Sequence, residues 1–370
     1  TMRLHCLNII NYKNIEEASL EFSDKINCLI GNNGMGKTNV LDVIYYLSFC
    51  KSHTNVVDSQ NIKHDSDFFM IKGNYQKNGD EEEIYCGVKR RQKKQFKRGQ
   101  KEYEKLSDHI GLIPLVMVSP DDSQLISEGS YERRKFMDGV ISQYNKTYLQ
   151  QLLQYNNLLK QRNALLKSER PVDVTIFEVL EEQMNTLGQY IFQERTKFIT
   201  EFIPVFQNFH ITISGDNEQT NLEYTSQYQR HGNLLKRMSE TRERDLILGF
   251  STQGIHKDDL EMTLGDHPIK KVGSQGQNKT YLIALKFAQF DFLKKIHNCS
   301  PILLLDDIFD KLDAIRVEAI IKLVTSDLFG QIFITDTNRE NLDALLTQLN
   351  SNAKIFNVIN GKITSQTLIK

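Results

Sequence analysis

The segment Gly31-Asn32-Asn33-Gly34-Met35-Gly36-Lys37-Thr38 constrains the fold of this chain more than any other. The apolar stretch from Lys25 to Ile30 precedes it and is typical of a buried strand, and Asn39 to Ile44 open a helical pattern. A strand, a glycine loop and a helix in this order surround an anion with backbone N–H groups. The segment therefore predicts an α/β fold with a phosphate-binding loop.

The residue types in this loop match the needs of a triphosphate. Glycine lets the backbone approach a phosphate closely, Lys37 is expected to reach the β- and γ-phosphates, and Thr38 is expected to place its hydroxyl on Mg²⁺. We expect Asn39 to complete the nucleotide-binding loop. A glycine-rich turn without a ligand is the alternative, and the matching flanks make it the weaker one.

A second half of the site is predicted near the other end of the chain. Pro301 to Leu305 form an apolar run that suits a strand buried on both faces, and Asp306 and Asp307 follow directly. Acids at the carboxyl end of such a strand lie where α/β sheets bind ligands. We expect Asp306 to hold Mg²⁺ and Asp307 to orient or deprotonate the attacking water. Taken alone, the pair could also be surface acids at a sheet edge.

A third segment, Ser274-Gln275-Gly276-Gln277, opens a long helical pattern. The free N–H groups and the dipole of a helix start favour an anion, so this is a second candidate anion site. One nucleotide does not need two such sites. We therefore expect Ser274, Gly276 and Gln277 to face the γ-phosphate held by another subunit, although the segment by itself also fits a simple capped helix.

The order of these motifs resembles that of the ABC/SMC-like ATPases, and further segments narrow the resemblance to the RecF family of bacterial recombination-repair ATPases. These segments are Asn11–Asn14, Gly36–Asp42, Ser119–Asp122, Arg133–Asp138 and Gly254–Leu260. The resemblance implies an ABC-type P-loop ATPase head, a mixed sheet with flanking helices, that carries an inserted compact helical lobe. It also implies a D-loop containing Asp310 and Asp313 and a nucleotide contact from Lys13.

Two positions depart from the expected patterns. Asp336-Thr337 follow the last predicted core strand, where a transporter ATPase has a switch histidine, and this leaves the γ-phosphate sensor unassigned. Lys51-Ser52-His53-Thr54 stands where the family tends to carry a Ser-Phe-Arg-like run, which puts a role for His53 in doubt.

Pattern changes along the chain predict an ATPase lobe interrupted by an insertion. Residues 1–118 and 208–370 are assigned to the ATPase lobe, and residues 119–207 to a helical lobe of two helices separated near Pro171. We expect strands at His210–Ser214 and Leu260–Leu264 to lead back into the core. The helical pattern is far too short for an SMC coiled coil.

Composition limits the remaining possibilities. No apolar run approaches the roughly 18 residues of a membrane span, so a cytoplasmic protein without membrane partners is expected. The five cysteines lack C-x-x-C spacing and are interpreted as reduced core thiols.

Net charge is −1, yet one segment is strongly basic. Its cations are Lys89, Arg90, Arg91, Lys93, Lys94, Lys97 and Arg98. A strand-turn-strand context would present them to a phosphate backbone in sequence-independent contacts. A solvated charged face is the alternative, and the family resemblance favours DNA.

Other polar residues keep open roles. Arg133 and Arg134 could contact DNA, acids across a lobe boundary or a nucleotide across a dimer. His256 fits a structural role in a polar turn better than a functional one.

The resemblance to the RecF family implies an ATP- and Mg²⁺-dependent homodimer that clamps double-stranded DNA near single-strand/double-strand junctions. It further implies work with RecR and RecO to promote RecA loading in DNA repair, replication and the SOS response to DNA damage, with weak DNA-stimulated ATP hydrolysis. The alternatives are an SMC-like structural head and a transporter-type ABC subunit. The chain lacks the long coiled coil of the first and the switch histidine of the second.

Overall fold

The protein is described by a computed structural model that covers residues 1–215, 218–349 and 352–368. Its strands are β1 Met2–Tyr12, β2 Ile15–Glu21, β3 Ile26–Ile30, β4 Phe68–Lys77, β5 Asp80–Lys89, β6 Gln95–Arg98, β7 Lys101–Glu102, β8 Leu115–Val118, β9 Thr220–Thr225, β10 Asp259–Leu264, β11 His267–Pro268, β12 Ile302–Asp306, β13 Ile332–Asp336, β14 Ala353–Ile359 and β15 Lys362–Leu368. Its α-helices are α1 Lys37–Phe49, α2 Gln124–Ser127, α3 Ser130–Tyr144, α4 Lys146–Leu166, α5 Val174–Ser214, α6 Gln227–His231, α7 Leu235–Glu240, α8 Arg242–Leu248, α9 Ile269–Val272, α10 Gln275–His297, α11 Ala314–Thr325 and α12 Arg339–Gln348.

The chain divides into two compact units. The helical unit comprises Ser123–Gln207 and Glu218–Gly273, and the sheet unit comprises the rest of the described residues. This division differs from the predicted lobes, because residues 218–273 were expected in the ATPase lobe. Within the helical unit, ion pairs tie this second segment to the first: Arg162 bonds Asp245, and Arg195 bonds Asp258.

A mixed sheet of order β15-β14-β3-β13-β12-β8 positions the predicted site in the sheet unit. The strands from β14 to β8 are parallel, and their registers align Asp306 with Thr335 and Asp336 with Ile30. Both β12 and β13 are buried along their whole length, as their continuous apolar sequences predict. The phosphate loop and the acids therefore emerge at the same carboxyl edge.

An antiparallel sheet of order β2-β1-β4-β5-β6-β7 forms the second layer of the sheet unit. Helix α1 packs against strands of both sheets, and a shared apolar core joins them. The buried Gln331 side chain, at the start of β13, accepts a hydrogen bond from the Leu4 N–H at 2.7 Å and donates to the Leu4 carbonyl at 2.8 Å. These bonds fix the start of β13 against β1.

The helical unit packs α3, α4 and the part of α5 up to Gln207 with a small antiparallel sheet of order β11-β10-β9. Buried arginines link its elements: Arg162 on α4 pairs with Glu181 on α5, and Arg195 on α5 pairs with Asp138 on α3. A polar core of this kind has well-defined partners, and it fixes the helices in one arrangement.

Two expected strands are corrected by the structure. Residues His210–Ser214 form the last turns of helix α5 and not a strand. The alternation of Ile211 and Ile213 suggested a strand, but the helical spacing that runs through Phe206, Phe209 and Ile213 decides the outcome, because these three are buried. The Leu260–Leu264 segment is a strand, β10, but it pairs with β9 in the helical unit.

Candidate functional site

The phosphate loop has the backbone that its glycines predict. Gly34 and Gly36 have φ values of 80° and 114°, a left-handed region that L side chains rarely adopt. A side chain at Gly31 would place its Cβ 2.4 Å from the Val358 carbonyl oxygen, so glycine is also required there by close packing. Gly36 is the N-cap of α1, and no side chain caps that helix. The first N–H groups of α1 are therefore available to an anion.

Lys37 extends back along the loop. It is 7% exposed, and its ammonium group donates a hydrogen bond to the Gly31 carbonyl oxygen at 2.5 Å. Burial lowers the pKa of Lys37, and the nearby acids Asp307, Asp306 and Asp336 oppose this shift. A cation held inside a glycine loop can bind a phosphate oxygen by exchanging its carbonyl partner.

Thr38 and Asp306 face each other across the site. The Thr38 hydroxyl lies 3.2 Å from both carboxylate oxygens of Asp306. Thr335 on the neighbouring strand β13 donates to Asp306 Oδ1 at 2.6 Å and holds that carboxylate in place. A hydroxyl beside a carboxylate is an oxygen donor set that suits Mg²⁺, a cation that prefers oxygen ligands and keeps several waters. These residues therefore fit the expected metal.

Asp307 occupies a constrained turn directly after β12. Its φ is 52°, and its backbone N–H donates to Thr335 O and Thr335 Oγ1, both at 3.2 Å. Its carbonyl oxygen accepts a hydrogen bond from Lys279 Nζ at 3.0 Å. Burial, followed by the negative charges of Asp310 and Asp336, raises the pKa of the Asp307 carboxyl group. A carboxylate with a raised pKa is a stronger base, which suits activation of a water molecule.

The predicted signature segment is a capped helix start. Ser274 Oγ accepts from the Gln277 N–H at 3.2 Å, and the Gln277 side chain accepts from the Ser274 N–H at 2.9 Å. This is a reciprocal capping box, which agrees with the alternative interpretation of the segment as a simple capped helix. The Ser274 side chain remains exposed, and its hydroxyl proton is still free to donate, because the cap uses the oxygen only as an acceptor.

The D-loop residues lie beside this helix start. Gly276 lies beside the Lys311 carbonyl, and an added Cβ would be 3.4 Å from that oxygen, an ordinary van der Waals contact. Asp313 caps α11 by accepting a hydrogen bond from the Arg316 N–H at 2.8 Å. Asp310 is exposed. Asp313 thus has a structural task in addition to any role in a dimer.

Lys13 has two partners outside the phosphate loop. Its ammonium group pairs with Asp42 at 2.7 Å and bonds Thr54 at 2.8 Å. Asp42 also accepts from Tyr12 and Ser52. Burial works to raise the pKa of Asp42, but Lys13 and these hydroxyls outweigh it and lower the pKa. Lys13 therefore anchors the buried side of α1, and its contact with a nucleotide stays a prediction. The neighbouring Asn14 accepts a hydrogen bond from the Asn39 side chain at 2.7 Å and lies next to Gly36.

Comparison with known proteins decides the family of this chain. A family model described as RecF/RecN/SMC N terminal domain matches residues 3–364. The DNA replication and repair protein RecF of Phocaeicola vulgatus is 60% identical over 367 residues, which cover 99% of each chain. Its counterpart in Bacteroides thetaiotaomicron is 61% identical over 98% of each chain. The chain belongs to the RecF family.

Solved structures agree with this assignment. The recombination mediator protein RecF-ATPrS in the RecFOR pathway matches with a TM-score of 0.87 at 26% identity, covering 98% of each chain. The Smc head domain of Pyrococcus furiosus matches with a TM-score of 0.59 at 14% identity. At this identity the match shows a similar fold and nothing more. The predicted ABC-type ATPase head is therefore confirmed, as is the resemblance to the RecF family.

Thr335 and Lys279 of the site in this RecF-family chain were not found from sequence, and Asp336 was noted there without an assigned role. Thr335 orients Asp306, Lys279 contacts Asp307, and Asp336 is buried at the end of β13 with its carboxylate accepting from the Asn338 N–H at 2.9 Å. Strand register places Thr335 opposite Asp306. The only sequence signal was their position at a strand end or one helical turn beyond Ser274, which is too general to single them out.

The basic segment forms the predicted hairpin, β5 to β7, but its cations differ in their surroundings. Lys94 pairs with Asp58 at 3.0 Å and donates to the Cys50 carbonyl at 2.7 Å, and Arg98 Nε donates to Glu82 at 2.8 Å. Lys97 lies over the Tyr85 ring. Lys89, Arg90, Arg91 and Lys93 are exposed, as is Arg98 despite its pairing, and Arg90 Nε donates to the Ser66 carbonyl at 3.1 Å.

Arginines and histidines outside the site have structural partners. Arg133 pairs with Asp259 at 2.7 Å, and Arg134 donates to the Asp258 carbonyl, so both serve the helical unit itself. His256 bonds the Tyr155 hydroxyl and the Ser251 carbonyl, each at 2.8 Å, and burial lowers its pKa to about 4. Burial likewise lowers the pKa of His53, whose Nδ1 has no hydrogen-bond partner among the described residues.

Two further findings concern the residues that the structure describes. No group of three or more His, Cys, Asp or Glu side chains in that part of the chain is arranged to hold a metal ion. Likewise, none of its helices is long and apolar enough to cross a membrane.

Proposed function

We propose that this RecF-family protein is an ATP-dependent DNA-binding protein of recombinational repair and replication-fork maintenance. The observation that carries the proposal is the convergence at one sheet edge of an uncapped glycine loop with Lys37, of the facing Thr38 and Asp306, and of the constrained Asp307 turn. Nothing in a purely structural protein would require this arrangement, since left-handed backbone and clustered buried acids both cost stability.

ATP is the proposed substrate. Loop residues Gly31 to Gly36 and the first N–H groups of α1 would surround its phosphates, while Lys37 would bind the β- and γ-phosphates. Thr38 and Asp306 would hold Mg²⁺, directly or through water. When bound, Mg²⁺ would neutralise phosphate charge. Asn39 is close enough to Gly36, through Asn14, to support the loop from the helix side.

The working form is proposed to be an ATP-induced homodimer. Ser274, Gly276 and Gln277 of one subunit would complete the nucleotide site of the other, with Asp310 and Asp313 lining the same region. The exposed Ser274 hydroxyl still has a proton to donate, which supports this role. ATP favours the closed dimer only because closure adds contacts to the γ-phosphate.

Hydrolysis is proposed to release the dimer and to be slow and stimulated by DNA. Asp307 would orient or deprotonate the attacking water, and loss of the γ-phosphate would remove the contacts that favour closure. In this proposal, the role of ATP hydrolysis is to switch the conformation of the dimer from closed to open.

Solution mass tests the proposal. The protein is measured without nucleotide, with ADP and with ATP plus Mg²⁺, each with and without a short DNA duplex. We expect a dimer that forms with ATP and is strengthened by DNA. Lys37→Met should stay monomeric in ATP, while Asp307→Asn should dimerise and persist. A monomer under all six conditions would overturn the shared-nucleotide dimer.

The proposed partners are double-stranded DNA near single-strand/double-strand junctions and, as in the RecFOR pathway of the matched relative, RecR and RecO, with RecA loading as the outcome. The exposed cations of the β5–β7 hairpin are the proposed DNA contacts. Lys94 and Arg98 already have acidic partners, so they are weaker candidates than the sequence suggested.

The hairpin is tested by the salt dependence of DNA binding. Replacing Lys89, Arg91 and Lys93 with Gln should weaken binding and reduce the slope of log K against log salt concentration by about two to three, because each lost phosphate contact removes about 0.9. A matched control replaces the exposed Lys236, Lys322 and Lys362. Equal slopes for both triple variants would assign the hairpin to a solvated face.

A further inference from the structure

The second turn of helix α10 makes a direct contact with the Asp307 turn of the same subunit. Lys279 lies five residues after Ser274, and its ammonium group donates to the Asp307 carbonyl oxygen at 3.0 Å. The helix that presents the signature segment is thereby connected to the backbone of Asp307, the residue whose carboxylate is proposed to activate water.

Asp307 needs such support because of its backbone. A φ of 52° in a non-glycine residue is uncommon, and such a conformation persists only where the surroundings determine it. Thr335 holds the N–H side of this residue through two acceptors at 3.2 Å. Lys279 holds the carbonyl side. The peptide groups on both sides of the Asp307 side chain are therefore fixed.

Neighbouring contacts keep Lys279 in register with the turn. Arg316 at the start of α11 donates to the Thr280 hydroxyl at 2.8 Å, and Thr280 donates to the Gly276 carbonyl at 2.8 Å. Gly276 in turn approaches Lys311 O. The first turns of α10 thus pack on the segment that follows Asp307, and Lys279 reaches its carbonyl from a rigid base.

We propose that Lys279 is a positioning residue that holds the Asp307 carboxylate in the geometry for water activation. The inference rests on the proposed function and deepens it. Lys279 donates to the backbone of the Asp307 turn, so in this role its loss should slow the hydrolytic step and leave substrate binding nearly unchanged. Small displacements of a catalytic group have large effects on rate.

The test compares two substitutions of Lys279 in the full-length protein with DNA present. Lys279→Met removes the donor and keeps the length of the side chain, and it should lower kcat for ATP hydrolysis about tenfold or more while KM stays within about twofold. Lys279→Arg keeps a donor that can reach a carbonyl and should retain most of kcat.

Helix α10 supplies a matched control. Lys294 also donates to a backbone carbonyl, that of Leu328, at 2.8 Å, but at the other end of the helix. Lys294→Met should leave kcat and KM unchanged. Thermal unfolding of all three variants shows whether they fold, and if Lys279→Met does not, the comparison of Lys279→Arg with wild type decides through kcat and KM.

The outcomes separate the inference from the proposed function. A wild-type kcat in Lys279→Met, a KM that rises in step with a falling kcat, or an equal defect in Lys294→Met would overturn the positioning role. The proposed function stands in those cases if wild type hydrolyses ATP and Lys37→Met does not. If wild type does not hydrolyse ATP, the proposed function fails and the inference fails with it.

Discussion

Charged groups that are shielded from water are treated differently in the two units of this protein. In the helical unit, Arg195 bonds Asp138 and Asp258, and Arg162 bonds Glu181 and Asp245, all within about 3 Å. Each of these arginines is at most 2% exposed, and Glu181, Asp245 and Asp258 are buried with them, whereas Asp138 is 20% exposed. Such pairs need both partners, because a single buried charge is very costly.

The acids at the sheet edge of the sheet unit have no such partners. Within the described part of the chain, no cationic group forms an ion pair with Asp306, Asp307 or Asp336 inside 4 Å. Lys37 and Lys279 are close, but each donates to a backbone carbonyl. The carboxylates therefore remain available to a ligand. Paired buried charge therefore serves the fold in this protein, whereas unpaired clustered charge marks the candidate site.

The largest effect is expected from breaking a buried pair. Arg195→Met leaves Asp138 and Asp258 without their cation and should lower the free energy of unfolding by about 3–5 kcal/mol. Denaturant unfolding measures this change. Arg339→Met, which breaks the exposed pair with Asp343, is the control and should cost less than about 1 kcal/mol. Equal losses would break the distinction between buried and exposed charge.

A smaller effect is expected from acid, through a buried group that stays neutral. The pKa of His256 is lowered to about 4 in the folded protein against an ordinary value of 6.5. The unfolded chain therefore binds a proton that the folded chain excludes, and stability should fall as pH drops from about 6.5 towards 4, by about 3 kcal/mol in total. The difference in unfolding free energy between wild type and His256→Gln, followed over this range, measures it. A constant difference would contradict the prediction.

A change of similar size, in the rate of reaction, is expected at the sheet edge. Asp307→Asn should lower kcat for ATP hydrolysis by about 100-fold, because an amide cannot accept the proton of the attacking water. ATP binding should be retained, since Lys37, Thr38 and Asp306 are untouched. Nucleotide titration and single-turnover kinetics separate the two effects, and a wild-type rate would remove Asp307 from the proposed mechanism.

The smallest effect concerns stability at the same residue. Asp307→Asn removes one of several mutually repelling acids, and Asn tolerates the left-handed backbone. Without nucleotide, the free energy of unfolding should therefore stay level or rise by up to about 1 kcal/mol, and the melting temperature should follow it. Lys279 and Thr335 hold the turn in both variants. A loss as large as that of Arg195→Met would mean that Asp307 is structural, and the contrast between the units would not hold.

Local sequence predicted the site more fully than the architecture around it. The sequence predicted three elements whose residue types allow few backbone conformations. They are the loop from Gly31 to Thr38, the strand before Asp306 and the start of α10 at Ser274. The extent of α5 and the allocation of residues 218–273 were not predicted. Short apolar alternations such as Ile211–Ile213 fit a strand or a helix equally well until burial selects one.

The sequence also did not predict ion-pair partners that lie far apart along the chain, for a related reason. Lys13 lies next to residues that contact the loop, yet it pairs with Asp42, and Lys94 lies in a basic run, yet it pairs with Asp58. A run of charged residues in the sequence does not show which of the side chains face solvent and which pack against the protein. Which cation faces solvent depends on the elements packed beneath it.

The sequence by itself determined the loop, the acids and the signature segment of this RecF-family chain, since glycine conformation, helix capping and buried-strand composition are local properties. Only the tertiary structure decided that Thr335 orients Asp306 and that Lys279 holds Asp307, residues about 30 positions apart in each pair. Strand register and helix packing created these contacts. They arise from burial of the whole core, which no single segment specifies.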